Sequence, residues 1–369
     1  MAPPPVKYRA IKKPHRMHIT TLRIENFRNL ERVSIHPHPR LNYFFGSNGA
    51  GKTSLLEALV VISRGKSFRT VHAEELEGPA TEAFRVFIET ESSGRSHKLG
   101  LERSGKQWRA RMDGSDVALL SVLSRHLPLV LMEPNSHLLV SGSPDVRRRF
   151  LDTGVFHVEP AFLDVWRRFA RVLKQRNAAL RARELRVLDS LDELYTELGE
   201  KLHRYRRSYC EKLFAEFAAQ EAAAHTAEQE GIALEYASGW KGEGLAEALA
   251  ATRSRDLERG ASGQGPHRAD LMMTRDKRLI RTLLSRGEQK GLAASLLLTQ
   301  ARLLASMGGL PLILLDDLAS EFDRAHVHSV LDAALGCSSQ VWVTGTARAE
   351  LQEAHKMFHV KHGQVQEMV

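Results

Sequence analysis

Cysteine is nearly missing from this chain: Cys210 and Cys337 are the only two in 369 residues, far apart and without metal-ligand spacing. That excludes a disulfide framework and a cysteine-built zinc site, and it predicts a reducing, cytoplasmic setting. Long apolar runs are missing too. No stretch approaches about eighteen uninterrupted apolar residues, so no bilayer-spanning helix and no membrane partner are expected. The opening MAPPPVKYRAIKKPHR lacks the apolar core of a secretory signal and reads as a basic, disordered extension over residues 1–16. Acidic residues are scarce at the same end: Lys and Arg outnumber them nine to two over residues 1–40. The net charge of +9 favours a polyanionic partner, although much of the excess sits in that N-terminal stretch.

Between residues 157 and 225 there is one proline, Pro160, and one glycine, Gly199. Apolar residues recur there at Leu188, Leu191, Leu194, Leu198, Leu202, Tyr205, Tyr209 and Leu213, in helical steps of three and four. A helical subdomain follows, at most a short hairpin arm. On either side the pattern is α/β. Strands are expected at ITTLRIENF, near Val33–His36 and at LNYFF, then a helix from Gly51, then a meander of FRVFIET, HKLGLER and QWRARMDG. LPLVLMEP reads as a buried strand, and RGASGQGPHR as a mobile glycine-rich stretch. IALEYASGW, ADLMM, LPLILLDD and QVWVTG are further strands, with helices near 287–306 and 324–335. The expected domains are 17–156, a helical insertion at 157–230, and 231–369.

What is present in full is a phosphate-binding loop. Gly46, Ser47, Asn48, Gly49, Ala50, Gly51, Lys52 and Thr53 fit GxxxxGK[ST] at every fixed position, followed by Ser54. In such a loop backbone N–H groups cradle phosphates, the lysine reaches the β- and γ-phosphates, and the threonine hydroxyl ligates Mg²⁺. The second carboxylate such a site needs is expected at Asp316, where an unbroken apolar strand ends. Asp317 follows it, placed to polarise an attacking water. More than 250 residues separate the two halves. Upstream of Asp316, Ser285, Gly287 and Glu288 open an Ala/Leu-rich helix. They form either an ordinary capping box or a second anion seat, which one nucleotide on one subunit does not need.

Leu284–Glu288 resembles the LSGGQ-type signature of ABC ATPases. With NFRN, GSNGAGKTS and LLDDLASEFD, whose Ser320–Asp323 is similar to a D-loop, it resembles the ABC/SMC-like group of DNA-maintenance ATPases. GKSFRT (65–70), LMEPNSHLLVSGSPDVRRRFLD (131–152), VLKQRNAAL (172–180) and GPHRADL (265–271) resemble stretches of the RecF family. The resemblance implies an ABC-type head, a mixed sheet with an antiparallel β meander, and an inserted short α-helical arm. It implies ATP and Mg²⁺ as cofactors and slow, DNA-stimulated hydrolysis with Lys52, Asp316 and Asp317 as the catalytic set. Metal would be held by Thr53 and Asp316. Ser285, Gly287 and Glu288 would contact, in trans, the ATP of a second copy in an ATP-dependent homodimer. It places Arg28 near the phosphates. Single-stranded, gapped and double-stranded DNA are the implied partners, with RecR and RecO helping to place recombinase at gaps. Another SMC-like ATPase of chromosome maintenance, a transporter nucleotide-binding subunit and a translocase motor are the competing readings.

The chain departs from those patterns at several places. Asp317 stands where transporter-type ATPases have Glu, and Thr344 and Thr346 replace the switch histidine. Glu133 or Asn135 stands for the Q-loop glutamine. Arg286 and Glu288 replace glutamines, and Ala269 an acidic residue. Arg147–Arg149 with Arg204, Arg206 and Arg207 form a candidate DNA-facing run.

Overall fold

The computed structural model describes residues 17–79, 83–224, 230–351 and 354–368; the expected extension 1–16 lies outside them. The chain divides into two compact units, residues 1–136 with 300–369, and residues 137–299.

The first unit holds two six-stranded sheets. One is antiparallel, in the order β2-β1-β4-β5-β6-β7, and contains β1 (Met17–Phe27), β2 (Leu30–Ile35), β4 (Ala83–Ser92), β5 (Arg95–Ser104), β6 (Gln107–Met112) and β7 (Ser115–Val117). In β1 both Ile19 and Leu22 are buried, although a strict two-residue period would put them on opposite faces. A register shift against β4 between Ile19 and Thr21 lets both face the core.

The other sheet runs β15-β14-β3-β13-β12-β8. Its strands are β3 (Leu41–Phe45), β8 (Leu129–Met132), β12 (Leu312–Leu315), β13 (Gln340–Gly345), β14 (Lys356–Lys361) and β15 (Gln364–Met368). All the pairings are parallel except that of the final hairpin. LNYFF, LILL and QVWVTG are buried at every residue, as strands covered on both faces must be. Phe44 stacks on Trp342 and Phe358 of the flanking strands, with centroids 4.9 and 4.8 Å away. Helix α1 (Lys52–Arg64) is buried almost all round because its core cluster draws residues from both sheets. Helices α2 (Ser121–His126), α9 (Leu318–Glu321) and α10 (Arg324–Cys337) also belong to this unit; Asp323 caps α10 by accepting from the His326 N–H. The β14–β15 hairpin was not anticipated. Its turn residues His362 and Gly363 both take positive φ, as a two-residue primed turn requires, but His-Gly is a weaker signal of it than Asn-Gly.

The second unit contains α3 (Leu138–Ser141), α4 (Pro144–Val158), α5 (Phe162–Ala182), α6 (Leu185–Ala224) and α7 (Leu245–Arg259). A small sheet β11-β10-β9 is made of β9 (Ile232–Ala237), β10 (Asp270–Arg275) and β11 (Arg278–Leu279). Helix α8 (Arg286–Ser306) starts in this unit. The partition differs from the expected 157–230 insertion, because α4, α7 and the small sheet pack on the α5–α6 pair. Helix α6 is buried at Leu188, Tyr195, Leu198, Leu202, Tyr209, Leu213 and Phe217, so most of its length is covered.

The glycine-rich stretch before β10 is pinned, contrary to its expected mobility. Arg176 of α5, fully buried, bonds Asp192, Asp256 and the Ser262 hydroxyl. Asn177 accepts from the Ser262 N–H, and the Tyr195 hydroxyl donates to the Gln264 carbonyl. Side-chain anchors from three helices fix a backbone whose composition alone reads as loose.

Candidate functional site: a phosphate-binding cleft

Strands β3, β13, β12 and β8 are parallel neighbours, so their carboxyl ends lie along one edge of the sheet. Each end delivers one part of the site: Gly46–Ser54 after β3, Thr344 on β13, Asp316 and Asp317 after β12, and Glu133 after β8. Ligands of open α/β sheets bind at this edge. Gly46 is needed here for space: it has φ +156, and a Cβ there would run into the Val360 carbonyl of β14. The loop leads directly into α1, whose first N–H groups have no intrahelical partner.

Lys52 is buried, and its Nζ donates to the carbonyls of Gly46 (2.8 Å) and Ser47 (3.0 Å). Among the described residues no carboxylate pairs with it. A buried cation supported only by carbonyls, at a helix N-terminus, is a seat for an anion. One residue on, the Thr53 hydroxyl donates to Asp316 Oδ1 and Oδ2 at 3.0 and 3.1 Å. The Thr344 hydroxyl donates to Asp316 Oδ1 at 2.7 Å and accepts the Asp317 N–H at 2.8 Å. Burial raises the Asp316 pKa, and the Thr344 and Thr53 hydroxyls act against that rise. Asp317 sits at φ +53, in the left-handed region, and both carboxylates line the same open cleft of about 590 Å³. Glu133, one of the two Q-loop candidates, senses the charge of this centre. Burial, then the Asp316 charge, push it up to about 7 against Arg64 and Arg69.

Arg28 lines the cleft, and what holds it there was not foreseen. Glu57 of α1 is fully buried and accepts from Arg28 Nε (3.1 Å) and Nη2 (2.8 Å), from Arg69 Nη1 (3.3 Å) and from the Ser67 hydroxyl. One carboxylate thus aims two arginines of the cleft wall, and Arg69 is the one the sequence reading missed. The available signal was a lone Glu inside the apolar run LLEALVVI. Asn29 braces the loop from below: its Nδ2 donates to the Gly49 carbonyl, and it accepts from the Ser54 hydroxyl.

The residues fit a nucleoside triphosphate with a divalent cation. Among the described residues no group of three or more His, Cys, Asp or Glu forms a metal cage. Thr53 and Asp316 would hold the ion as hard oxygen donors, with phosphate oxygens and water completing its shell.

In the second unit, Ser285 and Glu288 form the capping box. The Ser285 N–H donates to Glu288 Oε2 at 2.7 Å, and the Glu288 N–H to Ser285 Oγ at 3.3 Å. Those bonds lower the Glu288 pKa. Ser285, Arg286 and Gly287 are all exposed. A Cβ on Gly287 would touch nothing within 4 Å, so this chain's own packing does not require glycine there.

The run Arg147–Arg149 with Arg204, Arg206 and Arg207 is split: Arg149, Arg204 and Arg207 are exposed, while Arg147, Arg148 and Arg206 are held by partners. Arg147 is buried and bidentate to Asp270, and Arg206 is buried and bidentate to Asp152. Arg148 pairs with Asp145 and with the Ala269 carbonyl. Desolvated guanidinium groups need such partners, and these ones serve the interior.

Residues 18–368 match the family described as the RecF/RecN/SMC N-terminal domain. The chain is 44% identical over 362 residues to the DNA replication and repair protein RecF of Stenotrophomonas maltophilia (strain R551-3), covering 95% of this chain and 99% of that one. It is 39% identical over 358 residues to the protein of the same description from Thioalkalivibrio sulfidiphilus (strain HL-EbGR7), covering 94% and 98%. A solved structure of the recombination mediator protein RecF-ATPrS in the RecFOR pathway superposes with TM-score 0.87 at 22% identity, covering 97% of this chain and 100% of that one. An Smc head domain from Pyrococcus furiosus, with an extended coiled coil, superposes at TM-score 0.55 and 15% identity, covering 95% and 96%.

Proposed function

The chain belongs to the RecF family of DNA replication and repair proteins, and on that footing we propose that it is an ATP-gated DNA clamp. Two copies close head to tail around ATP. Each covers the nucleotide held by the Gly46–Ser54 loop of one copy with Ser285, Gly287 and Glu288 of the other. The carrying observation is Gly287. Glycine is less favourable than alanine in a helix, and among the described residues nothing lies within 4 Å of where a methyl carbon would sit. A phosphate approaching from a second copy accounts for it.

Within one copy, Lys52 neutralises the terminal phosphates, while Arg28 and Arg69 are held at the cleft wall by Glu57. Mg²⁺, when bound on Thr53 and Asp316, supplies charge neutralisation at the phosphates. Thr344 fixes the Asp316 carboxylate and the Asp317 backbone together. Asp317 orients the attacking water; being shorter than glutamate, it holds that water less closely and suits a slow, DNA-stimulated switch. The closed dimer holds single-stranded, gapped or double-stranded DNA in the cytoplasm and, with RecR and RecO, helps place recombinase at gaps.

Light scattering in ATP and in ADP, with gapped DNA present, tests this. ATP alone should drive dimerisation, Ser285→Arg should block it while ATP still binds, and Asp317→Asn should trap the dimer. Monomers throughout would overturn the clamp.

A further inference from the structure

With Arg147 and Arg206 buried on carboxylates and Arg148 paired with Asp145, a row of cations unpaired among the described residues lies elsewhere in the second unit. Helix α5 carries Arg167, Arg168, Arg171 and Lys174, all exposed, against a single exposed acid, Asp164. None of the four makes an ion pair or hydrogen bond among the described residues. Their neighbours show the contrast: Arg176 on the same helix is fully buried and held by two carboxylates. The buried positions Phe162, Val165, Phe169, Val172, Arg176, Ala179 and Leu180 define the covered face. At 3.6 residues per turn, Arg167, Arg171 and Lys174 form a crest almost opposite it, rising about 10 Å.

Beside this crest stands Trp166, 41% exposed, at the mouth of a cleft of about 480 Å³. Phe169, Leu173 and Leu202 give that cleft an apolar lining, and Arg149 adds a cation. Its two acids are already engaged, Asp152 by Arg206 and Asp145 by Arg148. Unopposed cations spaced along a line, flanked by an exposed ring over an apolar cleft, match the chemistry of an unpaired nucleic-acid strand. Phosphates track the cations and a base stacks on the ring.

We infer that the α5 face is the seat of an unpaired DNA strand, with Arg167, Arg171 and Lys174 on its phosphates and a base stacked on Trp166. This rests on the reading that the protein binds DNA, and it adds the surface and the strand state. Charge complementarity commits the occupant, since an acidic protein surface would leave the exposed ring without a planar partner.

The test uses the full chain, a labelled oligo-dT strand and a duplex of equal length, with salt titrated at fixed ATP. The combined Arg167→Gln, Arg171→Gln, Lys174→Gln variant should lower the salt slope for the strand by about 2, at about 0.7 per lost phosphate contact. Trp166→Ala should weaken strand binding about 5- to 150-fold and duplex binding little, and should abolish any fluorescence quenching by the strand. Unchanged ATP binding and thermal unfolding confirm that the variants fold; single Gln variants, each moving the slope by about 0.7, replace the triple if it does not. If the triple variant binds the strand with wild-type affinity and slope, the seat is not on α5, although the DNA reading stands. If Trp166→Ala changes nothing, or weakens strand and duplex alike, the unpaired-strand assignment is overturned. If the wild-type chain binds neither DNA, the reading beneath it fails as well.

Discussion

The hydroxyl of Thr344 lies 2.7 Å from Asp316 Oδ1 and takes the N–H of Asp317 at 2.8 Å. One side chain from β13 thereby fixes two consecutive residues that follow β12. Thr344→Val keeps the shape and removes both bonds. Leaving a buried donor and acceptor unpaired costs about 1–3 kcal/mol. ATP turnover should fall more steeply than ATP affinity, because Lys52 is untouched. Urea unfolding and single-turnover hydrolysis measure the two effects; a variant with wild-type stability and turnover would remove Thr344 from the site.

Glu57 is the sole carboxylate bonded by both Arg28 and Arg69 among the described residues. Glu57→Ala leaves Arg69 without its anchor and Arg28 with Glu75 alone, and the loss is at most the ~3–5 kcal/mol of breaking a fully buried pair. Lower unfolding midpoints should be accompanied by weaker ATP binding. Stability loss without any change in ATP affinity would mean that Glu57 holds only the wall and not the arginines' aim.

Gly287→Ala should act in opposite directions on monomer and dimer. Helix propensity predicts a slightly more stable monomer, by less than the ~1 kcal/mol of a helix interior because Gly287 lies in the first turn. Dimer yield in ATP should drop, since the added methyl group stands where the second copy's phosphate must come. A variant that dimerises as readily as the wild type argues against close approach at this glycine.

Arg206→Met and Arg204→Ala separate interior from surface. The first strips Asp152 of its buried partner and should cost about 3–5 kcal/mol, whereas the second, exposed position should stay within about 0.5 kcal/mol. Equal and small effects in thermal unfolding would contradict the interior role of Arg206.

His267 supplies a pH signature for the packing of the second unit. Burial pushes it down to about 4, and its Nε2–H donates to the Ser262 carbonyl at 3.0 Å. Its ordinary value is about 6.5. Between the two the unfolded chain binds more protons than the folded one, so stability is full above about pH 6.5 and declines as pH falls toward 4. Denaturant midpoints should show that decline, and His267→Gln should flatten it. A wild-type midpoint that stays level across the window would contradict a buried neutral imidazole.

Several elements were legible because their signals are local. GSNGAGKT has its own backbone chemistry, LILL and QVWVTG are apolar at every position, and the 188–213 spacing is helical wherever it packs. Helix α7 and the β14–β15 hairpin were missed because AEALAATRSRDLERG has a weak apolar stripe and His-Gly is a weak turn signal. The stretch before β10 was misread because its order comes from Arg176, Asn177 and Tyr195, residues 69 to 86 positions away in the chain.

The sequence by itself determined that a phosphate seat exists, which residues form its loop, and that an acidic strand end must complete it. Those facts follow from spacing, from glycine's backbone freedom and from strand burial on both faces. Only the tertiary structure decided which strand ends meet. It brought Thr344 to Asp316 across 28 residues and Thr53 to Asp316 across 263, through the parallel order β3-β13-β12-β8. It also decided which arginines are free. Composition counts charges, but only packing shows that Arg147, Arg176 and Arg206 are buried and matched to carboxylates while Arg167, Arg171 and Lys174 face solvent with none.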